Sequence, residues 1–415
     1  MKILIVGKGG REHALARALS EAPTPTELFS FPGSDAIHAL APRVEIEGSF
    51  QALIGWIETN KPDLVVAGEE AWLVRDEGLA NACARLGVPC WGPPRESAQL
   101  EASKAFAKDF MVRHRIPTGK STLVDSADGA RTAIAGQFPT VLKFDGLAAG
   151  KGVAVCQDQA AADDFLHEVF EEKRFGEGRL LVEEFLTGPE ISIFAAVSGG
   201  KYQILCPARD YKRLGDGDAG PNTGGMGAIA GRGLLDPATR ETIESEIVKR
   251  TVDGLAADGL AYRGFLYFGI MLTPDGPKIL EYNCRFGDPE CQAVMPLLEG
   301  DLARYCWSGA CGRLEPDTIE FSNDWAVTVV LASAGYPASS RNGDAITGLD
   351  EQPAGTRVYH AGTAQQESGG FVTQGGRVLA VSARAATREE AVARAHAAAD
   401  RISFPGMQRR RDIGA

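Results

Sequence analysis

The first hundred residues leave few options for the fold. Strand-like Ile3 to Val6, a helical stretch from about Glu12 to Ser20, a strand at Leu28 to Phe31, another at Leu64 to Ala67 and a helix through Leu79 to Leu86 follow in alternation. Apolar strands separated by helices predict a doubly wound parallel sheet. Gly7-Lys8-Gly9-Gly10-Arg11-Glu12-His13 falls between the first strand and the first helix, where backbone N–H groups and the helix dipole favour an anion. A tight turn without ligand is the alternative. The stretch is not a dinucleotide fingerprint: the third glycine of G-x-G-x-x-G falls on Glu12, and no acidic residue closes the second strand.

The 415 residues, 44% of them hydrophobic, suffice for roughly two to four globular domains. A net charge of -12 argues against nucleic acid as the main partner. No apolar run is long enough to span a bilayer, and Met1-Lys2 runs straight into a strand rather than a signal pattern. Eight cysteines without a CxxC pair read as free thiols in a reducing cytosol, so a cytoplasmic location is expected.

Beyond a Gly92-Pro93-Pro94 linker, a helix is predicted from Ala98 to His114, carrying Ser103-Lys104. A small α+β lobe follows: strand Pro139 to Lys143, glycine-rich Gly146 to Val155, helix Gln159 to Phe170 and strand Leu180 to Leu186. The glycine-rich segment leads into no helix and so is not a P-loop. A hairpin of this composition suits folding over phosphates with its amides and Lys151, while Lys143 reaches in from the strand before it; a merely flexible turn is the alternative. Ala208 to Gly227 is too dense in glycine for regular structure and reads as a substrate loop, since the ligand register of an EF-hand is missing. A helix from Pro237 to Ala257 comes next.

Strand Gly264 to Leu272 pairs across Thr273-Pro274-Asp275-Gly276 with Lys278 to Asn283. Period-2 geometry puts Glu281 and Asn283 on one face, and two hard oxygen ligands suit Mg2+. Arg285 faces the same region and fits a phosphate or carboxylate, before a turn at Gly287-Asp288-Pro289. A buried Asn and a surface Glu beside an ordinary turn is the alternative. After a helix around Val294 to Gly309, residues 325–415 read as a small separate domain. In it Tyr359 to Thr363 is structural and Arg409-Arg410-Arg411 is a solvated or packing end.

Together these segments resemble the glycinamide ribonucleotide synthetases, the phosphoribosylamine–glycine ligases of the ATP-grasp superfamily. The likeness is carried by Gly7 to Ala14, Gln99 to Phe106, Lys143 with Asp145 to Val153, Glu183 to Leu186, Gly220 to Gly227, Glu281 to Glu290, His360 to Thr363 and Gly375 to Leu379. The resemblance implies an α/β and α+β multidomain protein. It has a Rossmann-like N-terminal domain at 1–100, an ATP-grasp fold at 101–324 with a lid lobe at about 118–190, and a small mainly-β C-terminal domain at 325–415. It further implies a C–N ligase of purine biosynthesis, using ATP with Mg2+ or Mn2+, in which glycine becomes glycyl phosphate and 5-phosphoribosylamine displaces the phosphate. No nucleic acid or membrane partner is implied, and a monomer is expected.

Carried over by position, Glu281 and Asn283 are metal ligands. Lys104, Lys143, Gly150, Lys151 and Gly152 serve the ATP phosphates, and Glu183, Glu184, Phe185, Leu186 and Glu190 meet adenine and ribose. Arg213 and Asn222 touch the nucleotide near the reacting phosphate. Gly9, Gly10, Arg11, Glu70, Asp210, Arg285, Gly287 and Asp288 hold substrate, and Arg285, Lys143, Asp210 and Arg213 are the catalytic set. Three stretches depart from the family pattern: Ser34-Asp35-Ala36, Glu69-Glu70-Ala71-Trp72 and Arg209-Asp210-Tyr211. The first two concern the amine-substrate half, so a related ligase with another amine is the second reading. A nucleotide-binding regulator without catalysis is the third, against which Lys143, Glu281, Asn283 and Arg285 all stand.

Overall fold

The computed structural model describes residues 1–148, 152–350 and 352–415. Its first unit is a four-stranded parallel sheet in the order Glu27–Pro32, Lys2–Gly7, Leu64–Ala67, Cys90–Trp91. The central strand is apolar on both faces because both are covered. Ile3 and Ile5 pack with Leu15 and Leu19 of the Gly10–Ser20 helix, whereas Leu4 and Val6 pack with Phe50, Leu53 and Ile57 of the Phe50–Asn60 helix.

The lid lobe is an antiparallel sheet ordered Ser121–Val124, Leu180–Glu184, Thr140–Phe144, Val153–Cys156. Leu142, Phe144, Leu180 and Val182 bury against the helices Ala127–Ile134 and Gln159–Leu166. Strand alternation therefore turns Lys143 to the opposite face, toward the rest of the molecule.

A large antiparallel sheet forms the body. Its order is Gly276–Asn283, Arg263–Thr273, Glu190–Ser198, Ala208–Asp210, Gly227–Ala230, Trp325–Ala332, Arg377–Ala385, Thr356–His360, with Lys201–Ile204 added beside Glu190–Ser198. The segment 325–415 packs around Val381, Ala391, Ala395 and Ala399, a core that also takes in Tyr211 and Ile229, and its strand Trp325–Ala332 pairs with Gly227–Ala230 to continue the sheet.

Some expectations need amending. The helix expected over 98–114 breaks at Ser103, which leaves helical geometry (φ −127°, ψ 115°) and caps the helix Lys104–Arg113 by accepting from Phe106 N–H at 3.1 Å. The helix expected around 294–309 is interrupted after Met295–Leu297 by the strand Leu298–Gly300, and Asp301 caps a fresh helix, Leu302–Ala310. The stretch 208–227, expected to be irregular, carries a small hairpin of Arg213–Gly215 with Ala219–Asn222, closed by a turn in which Gly217 supplies φ +66°. Pro237 to Ala257 is helical throughout, with a π-helical turn at Glu244–Val248. Among the described residues no helix is long and apolar enough to cross a membrane.

A buried histidine pair joins the first helix to the Thr356–His360 strand. The His360 N–H donates to His13 Nδ1 at 2.8 Å, and His360 Nδ1 meets Thr363 Oγ1 at 3.0 Å. Burial, reinforced by His360 and Arg17, lowers His13 from 6.5 to about 3, and burial lowers His360 to about 4. The unfolded chain therefore takes up these two protons near pH 6.5 while the folded chain resists them. Their contribution to stability is complete above pH 6.5 and is lost as pH falls toward 4 and then 3. Urea unfolding across this range should show a shallower pH dependence for His13→Asn than for the unaltered protein; equal slopes would remove His13 from the linkage.

Candidate active site

A cleft of about 820 Å3 is lined by the lid lobe on one side and by Leu280 to Asn283 on the other. The strand Gly276–Asn283 has a bulge: Ile279 opposes Ile270 and Glu281 opposes Gly269, so Leu280 has no cross-strand partner. Its carbonyl is thereby available to Lys143, whose Nζ donates to it at 3.0 Å. Below the bulge Tyr282 turns into the core while Glu281 and Asn283 line the cleft. Burial alone would raise the Glu281 carboxyl, but Lys212, Lys143, Lys104 and Arg285 together hold it below its ordinary value.

Glu101, on the short helix Gln99–Ala102, organises the next three residues. Its Oε1 receives Arg285 Nη2 at 2.7 Å and, in the orientation its hydrogen bonds select, the Asn283 amide nitrogen at 2.9 Å. Its Oε2 receives the Cys284 N–H at 2.6 Å. With its nitrogen committed to Glu101, Asn283 keeps its amide oxygen for the cleft. Burial pushes Glu101 up to about 7 despite Arg285. Arg285 is also held by Glu70 Oε2 at 3.0 Å, so its charge is already balanced by two carboxylates.

At the lid end Glu183, expected to meet adenine, is buried and paired with Lys143 Nζ at 2.9 Å and Lys108 Nζ at 3.2 Å; among the described residues its Oε1 has no hydrogen-bond partner. Glu184, Phe185, Leu186 and Glu190 follow it along the cleft wall. Lys104 Nζ donates to the Gly146 carbonyl at 2.8 Å; burial lowers its pKa, opposed by Glu281. Gly152 lines the cleft, whereas Gly150 and Lys151 lie outside the described residues.

Arg209, Asp210, Lys212, Arg213 and Asn222 line the same cleft. Lys212 is ion-paired with Glu190, the residue expected at ribose. Burial raises Asp210 to about 7; Lys212 opposes this, while Glu290, Glu190 and Glu281 reinforce it. Glu290, itself raised by burial, accepts from Ser192 Oγ at 2.9 Å.

The turn after the first strand corrects an expectation. Its amides are taken by the chain's own carboxylates: Lys8 N–H by Glu69 Oε1 at 3.2 Å, Gly9 N–H by Glu12 Oε2 at 2.6 Å and Arg11 N–H by Asp288 Oδ2 at 3.2 Å. Glu12 sits so close to the strand ends that a Cβ on Gly7 (φ +140°) or Gly68 would come within 2.5 Å of its Cγ. It fills the place where a dinucleotide fingerprint would admit a phosphate. Arg11 alone of Gly9, Gly10 and Arg11 lines the cleft, its Nε on Glu12 at 2.7 Å and its Nη1 on the Phe286 carbonyl at 3.0 Å. Gly287 and Asp288 line it too, with Asp288 held low against burial by Arg377 and Arg11.

All the expected site residues that are described, except Gly9 and Gly10, thus fall on one cleft. Sequence reasoning gave no role to Glu101, Lys108, Arg209, Lys212, Glu290 or Arg377. Lys108 carried a signal, a lysine one helical turn beyond Lys104 on the same face. Removing Glu101 strands the donors of three residues. Glu101→Ala is expected to cost about 3–5 kcal/mol, as for other broken buried ion pairs, read by denaturant unfolding; a loss near zero would deny it this role.

Family models of the phosphoribosylglycinamide synthetase N domain, ATP-grasp (A) domain and C domain match residues 1–101, 102–291 and 326–415. The phosphoribosylamine–glycine ligases of Allochromatium vinosum and Agrobacterium fabrum are 44% and 42% identical, the alignments taking in 100% of this chain and 98% of each relative. The bifunctional purine biosynthetic protein PUR2,5 of Pichia angusta is 40% identical over 100% of this chain, which spans 53% of that longer protein. The crystal structure of the Thermotoga maritima phosphoribosylamine–glycine ligase superposes with a TM-score of 0.86 at 35% identity, covering 99% of this chain and 100% of that one. A Campylobacter jejuni biotin carboxylase, 17% identical with a TM-score of 0.75 over 98% of this chain and 92% of its own, shares the fold. Matched along nearly its whole length, the chain belongs to the phosphoribosylglycinamide synthetase family, the phosphoribosylamine–glycine ligases.

Proposed function

We propose that the cleft joins glycine to 5-phosphoribosylamine at the expense of ATP, giving glycinamide ribonucleotide, ADP and phosphate. The observation that carries this reading is the half-buried carboxylate of Glu281, held below its ordinary value by Lys212, Lys143, Lys104 and Arg285 along the cleft. Such a concentration of cations suits a polyphosphate, and phosphoryl transfer asks for positioning and charge neutralisation more than for a strong base.

In this scheme a glycine carboxylate oxygen attacks the γ-phosphorus and ADP leaves, so that a poor acyl donor becomes glycyl phosphate. The amine nitrogen of phosphoribosylamine then attacks the acyl carbon and phosphate departs, with loss of one amine proton. Lys104 and Lys143 hold the ATP phosphates, with the glycine-rich segment through Gly150, Lys151 and Gly152 closing over them. Glu183 to Leu186 and Glu190 serve the base and ribose, and Arg213 and Asn222 the end near the reacting phosphate. Arg285, balanced by Glu70 and Glu101, is fixed in orientation rather than free in charge, which suits it to bidentate binding of a substrate anion. Asp210, raised to about 7, is suited to accept the amine proton. Arg11, Glu70, Gly287 and Asp288 face the amine substrate.

A divalent ion fits between Glu281 and Asn283. Both offer hard oxygens on one strand face, and among the described residues no cluster of three acidic, histidine or cysteine side chains competes for it. Bound there, Mg2+ or Mn2+ would neutralise phosphate charge. We take the protein as a monomer, and the eight free thiols suit a cytoplasmic setting.

ADP release by the purified protein should require ATP, Mg2+, glycine and freshly generated phosphoribosylamine together, with glycinamide ribonucleotide as product. ADP release with glycine that ignores phosphoribosylamine would discard the amine assignment and keep the activation step. Glu281→Gln is expected to lower turnover roughly 10²-fold or more, the scale of losing one electrostatic contact in a transition state; unchanged turnover would sink the metal assignment.

A further inference from the structure

Of the two readings of the basic run Arg409-Arg410-Arg411, a solvated or a packing end, Arg410 follows the second. Arg410 is 1% exposed. Its Nε and Nη2 hold Asp412 at 2.7 and 2.6 Å, and its Nη1 donates to Asp218 Oδ1 at 2.7 Å and to the Arg213 carbonyl at 3.2 Å. Asp412 in turn accepts the Gly217 N–H at 2.8 Å, and the Arg411 N–H donates to Asp216 Oδ1 at 2.7 Å. One short segment therefore grips the start of the first strand, at Arg213, and the turn Asp216–Asp218 of the hairpin. The hairpin's base is fixed from the same side: Arg410 stacks on the Tyr211 ring at 5.1 Å, opposed by Arg209 at 5.4 Å, and the Gly414 N–H donates to the Tyr211 hydroxyl at 3.0 Å.

Across its own strands this hairpin has the Arg213 Nη1 bond to the Gly220 carbonyl at 2.8 Å, and at its base Thr223 Oγ1 donates to the Lys212 carbonyl at 2.8 Å. It is otherwise glycine-rich, the side chains of Ala219–Asn222 are exposed, and among the described residues it joins no larger sheet. Yet Arg213, Asp218 and Asn222 line the cleft. We infer that segment 409–414 is a clamp that sets the hairpin's position over the cleft, with Arg410 a positioning residue for Arg213. The inference deepens the proposed function, since it rests on Arg213 serving the nucleotide. Tyr211, one of the departures from the family pattern, then has a reason in this chain: its ring and hydroxyl are the clamp's seat.

The test combines kinetics and amide exchange on the full chain. Arg410→Ala should lower kcat about 10–100-fold, the scale of a misplaced contact, while the KM for glycine stays within roughly twofold. In the Arg213→Ala background the same change should have little further effect, because residues acting through one another are not additive. Arg410→Lys, which keeps the charge without the fork, should recover only part of the loss. Exchange at amides 213–222 should accelerate in Arg410→Ala and, more mildly, in Tyr211→Phe, a variant that loses only one hydrogen bond if the stronger change unfolds the chain. Unaltered exchange in that hairpin, or effects that multiply in the double variant, would overturn the clamp. Full turnover by Arg213→Ala would instead remove Arg213 from the chemistry, and exchange alone would then decide whether segment 409–414 holds the hairpin.

Discussion

The Glu101 carboxylate is the interaction on which the rest of the site depends. It stands just beyond the first sheet and takes hydrogen bonds from Asn283, Cys284 and Arg285, where the edge strand of the large sheet ends. Burying a carboxylate is costly unless it is fully satisfied, and here satisfaction requires the two units to meet in one arrangement. Arg285 and Arg11 extend the network to Glu70 and Glu12, and both guanidinium groups also reach the Phe286 carbonyl. Phe286 itself packs on Phe194 and Phe265, ring centroids 4.8 and 4.4 Å apart, so apolar packing beneath and charge above fix the same turn.

The lid side follows the same logic. One buried carboxylate, Glu183, holds two buried lysines, and the bulge at Leu280 supplies a carbonyl for one of them. Lys143 is thereby positioned from the lid and from the body at once. Lys143 and Glu183 ride on the same lid sheet, so a displacement of the lid changes the contact to the Leu280 carbonyl and leaves the ion pair in place.

What could be read from the chain divides along physical lines. Parallel strands buried on both faces are continuous apolar runs, so Ile3 to Val6 and Leu64 to Ala67 declared themselves. The period of two placed Glu281 and Asn283 together without reference to anything distant. What stayed hidden was long-range electrostatics: nothing near Arg285 announces Glu101 or Glu70, some two hundred positions away, and a run of three arginines looks solvated until Asp216, Asp218 and Asp412 are brought against it. The turn at Gly9 was misjudged because its anion is internal; a glutamate in the third glycine position signals an occupied site. Local breaks at Ser103 and after Leu297 were set by capping side chains that also fit helix interiors.

The unbroken large sheet sets a limit on modularity. Three family models tile the chain, yet the ladder passes from Gly227–Ala230 to Trp325–Ala332 without a seam. Parting the chain near residue 325 would bare an unpaired strand flank on each fragment, the four residues Gly227–Ala230 on one and the eight residues Trp325–Ala332 on the other, both largely buried. Open flanks of that kind recruit foreign strands. Through that ladder residues 325–415 and the body before them form one mechanical object.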